Sequence, residues 1–364
     1  MGLNPAEPLF KDDTDRMPNA FAYLVLGLWP LLAVVLFRTL PPSRALLASL
    51  FTAYLFLPPP PTHFDIPLFP ALNKEILPNI TVLILSWVMY RDRISLLPRN
   101  KIAAVAVVVF VISPLFTMLT NMDPVFFGRI GIPGLGLKDA LSLSLQQFIL
   151  IIPLLLANNF LQNEEHQREL LLAFCLFGLL YSLPMLVEIR LSPQLNIWIY
   201  GFFQHSFEQM MRNGGFRPIV FLYHGLWVAF FAMLAVCSSA ILMRAHLGYQ
   251  RALFMAATLY LFAVLVLCKS IGSLFYAVLL LPLIVLFPRA LKIRLALVIM
   301  GFALSYPLIK SLGLLPEQAL LELVARLSEE RANSLKFRLD NETTLLARAL
   351  ERPVFGWGSW GRNQ

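Results

Sequence analysis

RNGGFRPIVFLYHGLWVAFFAMLAVCSSAILM, residues 212–243, sets Arg212 and Arg217 against an apolar run from Ile219 to Met243 that contains a histidine, His224. About 20 consecutive apolar residues suffice to cross a hydrocarbon layer of about 30 Å as a helix, with every backbone polar group bonded internally. The run therefore reads as a membrane span. Charge at its border and an ionisable ring inside it need a reason, because a charged centre within a span costs about 2.5–3.5 kcal/mol on insertion scales.

The rest of the chain has the same character. Its 364 residues are 58% hydrophobic and 14% charged, against roughly 25% charged in an ordinary globular domain. Sustained apolar runs predict ten spans, at 20–37, 45–57, 76–90, 102–120, 142–161, 169–189, 219–243, 252–268, 270–287 and 295–315. The runs are continuous rather than alternating, which excludes a β-barrel. The expected fold is all-α: a polytopic integral membrane helix bundle embedded in a lipid bilayer. The stretch 252–287 is too long for one crossing, so CKSIGS, with Lys269, reads as a tight hairpin. No cleavable signal peptide is expected, since the first apolar run follows an acidic stretch and precedes no small-residue cleavage site.

Orientation follows from the short loops. Loops 38–44, 91–101, 162–169, 244–251 and 288–294 hold twelve Lys or Arg, against eight in the much longer segments 1–19, 58–75, 121–141 and 190–218. The first set is expected in the cytoplasm and the second outside, which places Arg212 and Arg217 at the outer boundary. The net charge of +8 sits mostly in membrane loops and implies no nucleic-acid partner. Cys175, Cys237 and Cys268 lie within or at the ends of apolar runs without a CxxC pair, and read as buried thiols. GIPGLG at 131–136 lacks the βαβ setting and GK[ST] ending of a nucleotide loop and reads as a turn-rich loop. HFD at 63–65 and NEEHQRE at 163–169 lack the clustered ligands of a metal site. NIT at 79–81, a glycosylation sequon at a span edge, reads as accidental.

Two domains are expected: a transmembrane helical domain over 1–315 and an outer, partly helical loop segment over 316–364. From Pro316, PEQALLELVARL places Leu320, Leu323, Val324 and Leu327 on one helical face. The continuation stays compatible with helix to Pro353 and brings Arg331, Ser334, Arg338 and Asn341 onto one face. Such a face offers hydrogen bonds to a ligand, or is a solvated helix laced by pairs such as Glu322 with Arg326 and Arg338 with Glu342. The terminal VFGWGSWG reads as a turn settling into the membrane interface. Other outer-face candidates are Glu188, Arg190, His205 and Glu208. Basic groups beside a bilayer suit a phosphate-bearing ligand, and arginine can bind its oxygens bidentately.

Ser334, Arg338, Pro353, Gly356 and Gly358 in SLKFRLDNETTLLARALERPVFGWGSWG (334–361) form a pattern that resembles the end of the large periplasmic loop in O-antigen ligases and related polysaccharide polymerases. GGFRPIVFLYHG (214–225) is similar to the arginine-bearing span start of the same group. The resemblance covers roughly 200–364 and implies an enzyme of the bacterial inner membrane, a glycosyltransferase whose functional loops are periplasmic. Its donor would be an undecaprenyl-diphosphate-linked glycan, and its acceptor a lipid A core sugar or a growing polysaccharide. No cofactor, metal or nucleotide sugar is implied. Arg217 and Arg338 would be the catalytic pair that holds the pyrophosphate leaving group, with Arg212, His224, Lys269, Arg331 and Ser334 binding substrate. The pattern departs from the group at Asn341, where a tryptophan is usual, and a loop histidine would follow the glycines. A C-terminally incomplete chain is therefore expected, with about twelve spans when complete. Two alternatives stay open: a transporter or flippase of lipid-linked saccharide, and a non-catalytic membrane component of polysaccharide assembly. A transporter would line the middle of several spans with cations, whereas Lys and Arg here stay at span ends.

Overall fold

A computed structural model of the chain describes residues 17–66, 69–128, 130–212, 214–326, 329–359 and 361–362. Its regular structure is helical apart from two short β-hairpins, with thirteen α-helices among the described residues. All ten apolar runs form helices: α1 (Ala20–Thr39), α2 (Pro42–Phe56), α3 (Ile76–Tyr90), α4 (Lys101–Leu119), α5 (Leu137–Phe160) and α6 (Glu164–Leu191). After the short α7 (Leu195–Tyr200) come α8 (Gly225–Ala245), α9 (Gly248–Leu267), α10 (Ile271–Leu286) and α11 (Arg289–Ser311). Seven of these, α1, α4, α5, α6, α8, α9 and α11, are long and apolar enough to cross a membrane, while α2, α3 and α10 are shorter. The chain is a helical membrane protein.

Two compact units share the described residues. The first takes those up to Ala104 with Gln146–Leu286, and the second Val105–Leu145 with those from Phe287 onward. In the first unit α8 is the most buried of the long helices and packs against α6, α9 and α10. Small residues make this possible. A Cβ on Gly178 of α6 would stand 2.4 Å from the Ala235 Cβ of α8, so the crossing requires glycine. Ser239 and Thr258 hydrogen-bond at 3.0 Å, and Ser182 and Tyr260 at 2.9 Å, joining α8 to α9 and α6 to α9. Phe51 of α2 meets Phe174, Phe177 and Phe231 in an aromatic cluster. Asn79 of the NIT sequon is buried and donates to the Ile149 carbonyl at 3.1 Å, which agrees with an accidental sequon.

In the second unit β1 (Val125–Phe127) and β2 (Ile130–Ile132) pair antiparallel. Only Gly131 and Ile132 of GIPGLG are therefore strand, and its Gly134 lies so close to the Met122 carbonyl that a Cβ would approach within 1.6 Å. The helix expected from Pro316 forms as α12 (Glu317–Ala325) and α13 (Glu329–Leu350). The ion pair expected between Arg338 and Glu342 does not form. Glu342 instead takes the Lys310 ammonium of α11 at 3.1 Å, which also binds Glu317 at 3.2 Å. Lys310 is buried, so pairing it outweighs an exposed pair along the helix. Leu327, Trp360 and the side chain of Arg331 lie outside the described residues.

Candidate functional site: a basic cluster around a buried non-helical segment

The apolar run 219–243 is not helical throughout. Helix α8 begins at Gly225, and residues 217–224 form an irregular segment with most of its side chains buried. Backbone outside regular structure can be buried only when its polar groups find partners, and here side chains supply them. The Glu188 carboxylate, at the end of α6 and fully buried, accepts from the Ile219 and Val220 amides at 2.8 Å each and from the Leu195 amide at 3.1 Å. The Tyr181 hydroxyl accepts from the Phe221 amide at 3.1 Å. Lys74 Nζ donates to the Phe221 carbonyl at 2.8 Å, and Gln204 Nε2 to the carbonyls of Val220 at 2.8 Å and Leu222 at 3.1 Å. Pro218 has no N–H to satisfy.

This scaffold positions Arg217, which is 8% exposed. Its Nη2 donates to the Lys269 carbonyl at 3.1 Å, while its buried Nε has no partner among the described residues. No carboxylate pairs with it among them either. Its aliphatic stem lies on Gly225, where a Cβ would stand 2.3 Å from Arg217 Cδ. Burial, and then the charge of Arg212, push the guanidinium below its ordinary pKa, yet arginine stays protonated in proteins.

Arg212, Lys269 and His224 surround it. Strands β3 (Met211–Arg212) and β4 (Gly215–Phe216) form a hairpin, and Lys269 Nζ donates to the Arg212 carbonyl at 2.9 Å. Lys269 breaks the chain between α9 and α10 at φ 52°, as the hairpin reading of CKSIGS requires. His224, expected inside the seventh span, instead caps α8: its Nδ1 accepts from the Leu226 amide at 2.9 Å. Its ring packs edge-on against His205 at 4.5 Å between centroids. Burial first, then His205, Arg217 and Arg212, lower the His224 pKa to about 4, so the ring is neutral at pH 7. Hydropathy extended the span through residues 219–223 because they are apolar, and histidine is not among the residues that announce a helix start.

Three non-glycine residues among those described have positive φ: Ser192, Val220 and Lys269. All lie at this site, on the turn beyond Glu188, on the segment it holds and on the carbonyl that binds Arg217. Strain of this kind persists where surrounding structure over-determines it, often at functional sites.

Sequence reasoning brought Arg212, Arg217, His224 and Lys269 to one cluster, and they meet. It placed Arg338 and Ser334 with them; both are exposed on α13 of the second unit. It missed Lys74, Glu75, Tyr181, Gln204 and Tyr223. Lys74 is 2% exposed and lies 5.6 Å over the Tyr223 ring, and burial lowers its pKa to about 7 against the pull of Glu75. Burial, then Glu75, raise the Tyr223 phenol. Their only signal was a single lysine beside a glutamate in a long loop. All three cysteines are buried and free, as expected. No group of three His, Cys, Asp or Glu suited to a metal occurs among the described residues.

No family model, curated protein or solved structure matches the chain.

Proposed function

We propose that the chain is a membrane glycosyltransferase of the O-antigen ligase or polymerase kind, in which Arg217 binds the diphosphate of an undecaprenyl-diphosphate-linked glycan. One observation carries the reading: Arg217 is a buried guanidinium without a counter-ion among the described residues, held by a strained segment at the head of a membrane helix. A buried charge without a partner costs several kcal/mol. At an effective dielectric near 20, an anion at about 4 Å returns roughly 4 kcal/mol, so the site is complete only with an anion bound. Arg212, Lys269 and neutral His224 add donors around the same place. As the glycosidic bond breaks, charge grows on the leaving phosphate oxygen, and a fixed guanidinium lowers the transition state more than the ground state. The acceptor hydroxyl, of a lipid A core sugar or a growing glycan, attacks the anomeric carbon and gives up its proton to a base. A groove of about 300 Å³ lined by Phe51, Tyr54, Phe174, Phe230 and Phe231 in the first unit suits the polyprenyl tail.

The test is transfer of glycan from purified lipid-linked donor by the reconstituted protein. Arg217→Ala abolishes transfer at unchanged membrane abundance, and Arg217→Lys restores little of it, because a point charge does not reproduce the fork. Full activity in both variants would refute the assignment.

A further inference from the structure

The second unit contains a separate arginine cluster that the cluster at Arg217 does not use. Arg348 and Arg352, at and just beyond the end of α13, flank Trp357, with guanidinium carbons 3.6 and 5.0 Å from its ring centroid. Arg348 also lies 5.9 Å from the Phe127 ring of β1. The ring is fixed in place: its Nε1 donates to the Arg348 carbonyl at 2.8 Å, and Asn121 Nδ2 donates to the adjacent Gly356 carbonyl at 2.9 Å. Behind it Arg362, 1% exposed, donates to the Pro133 carbonyl at 2.6 Å and the Asp123 carbonyl at 2.8 Å, tying down the loops that flank the hairpin. These residues enclose a pocket of about 530 Å³, lined by Asp123, Phe126, Phe127, Arg348, Arg352 and Trp357 among others. Its volume lies within the range of small-ligand sites.

The charges are unequal. Arg348 donates through Nη1 to Glu351 and through Nη2 to the Arg362 carbonyl at 3.2 Å, while its Nε is buried without a partner; Arg352 has no carboxylate partner among the described residues. Arg352 donates to the Thr120 carbonyl, which orients its fork without neutralising it. Two oriented guanidiniums bind a carboxylate or phosphate well. Exposed Phe126 at the same pocket offers an apolar ring to the C–H face of a pyranose.

We propose that this pocket binds an anionic sugar residue of a glycan, its acid group on Arg352 and Arg348 and its ring against Phe126 and Trp357. The sugar rests on the glycosyltransferase reading, whereas the acid group rests on the arginines alone. Asp123 opposes the anion, so its neutralisation tightens binding, a gain that misfolding cannot mimic.

The experiment uses the full chain in nanodiscs, titrated calorimetrically with digalacturonate, with the neutral disaccharide cellobiose and with inorganic phosphate. Digalacturonate binds saturably, Arg352→Gln weakens it about tenfold and Asp123→Asn tightens it about threefold, while cellobiose does not bind. Binding of phosphate but not digalacturonate overturns the sugar, and equal binding of cellobiose overturns the anion. Affinities unchanged in both variants, or no binding at about 10 mM of any probe, overturn the whole proposal. Glycan transfer by Arg217→Ala is scored separately, so failure here and failure of the enzymatic reading are told apart.

Discussion

Replacing Glu188 tests whether one buried carboxylate holds the segment that presents Arg217. In Glu188→Gln one terminal atom remains a carbonyl oxygen and the other becomes a donor. The oxygen does best facing the Ile219 and Val220 amides, which both use Oε2, leaving the amide group opposite the Leu195 N–H. One buried donor is then unsatisfied, at about 1–3 kcal/mol. Glu188→Ala leaves three such donors and a cavity, and costs about 5 kcal/mol, at the severe end of single substitutions. At about 2–4 °C per kcal/mol for a unit of this size, the glutamine variant unfolds a few degrees early and the alanine variant more than 10 °C early. The assay is thermal unfolding of purified protein in detergent, with glycan transfer measured in parallel. Equal, small shifts in both variants would refute the claim that these bonds hold the segment. Normal transfer in a destabilised Glu188→Ala would refute the claim that the segment positions Arg217.

Two further outcomes concern the same cluster. Gly225→Ala puts a Cβ 2.3 Å from Arg217 Cδ and 3.1 Å from the Pro218 carbonyl, so it displaces the guanidinium and lowers transfer at least tenfold while the protein still reaches the membrane; unaltered activity would show that the stem has room. His224, lowered in the fold to about 4 from an ordinary value near 6.5, binds its proton more readily when unfolded. Its contribution to stability is therefore present above pH 6.5 and is lost as pH falls from 6.5 towards 4, a dependence that shrinks in His224→Asn when unfolding midpoints are compared across that range.

Much of the fold was legible in the sequence, because hydropathy and charge placement are local and additive along the chain. Every apolar run became a helix, and Lys269 broke the chain where the length of 252–287 demanded it. The site was legible in its cations for a related reason: charge beside a span is costly, so Arg212, Arg217 and Lys269 stood out. Helix starts were less legible. Residues 219–224 are apolar enough for a span, and only the burial of their backbone against Glu188, Tyr181, Lys74 and Gln204 made a non-helical path affordable.

By itself, the sequence determined a helical membrane protein with basic residues gathered at a span boundary, since transfer of side chains between water and hydrocarbon depends on residue type more than on partners. Only the tertiary structure decided that Arg217 is buried without a counter-ion among the described residues, that His224 caps α8 rather than sitting within it, and that Lys310 claims Glu342 from Arg338. Those outcomes turn on hydrogen bonds between residues as far apart as Lys74 and Phe221, and such bonds exist only once the chain has brought their partners within about 3 Å.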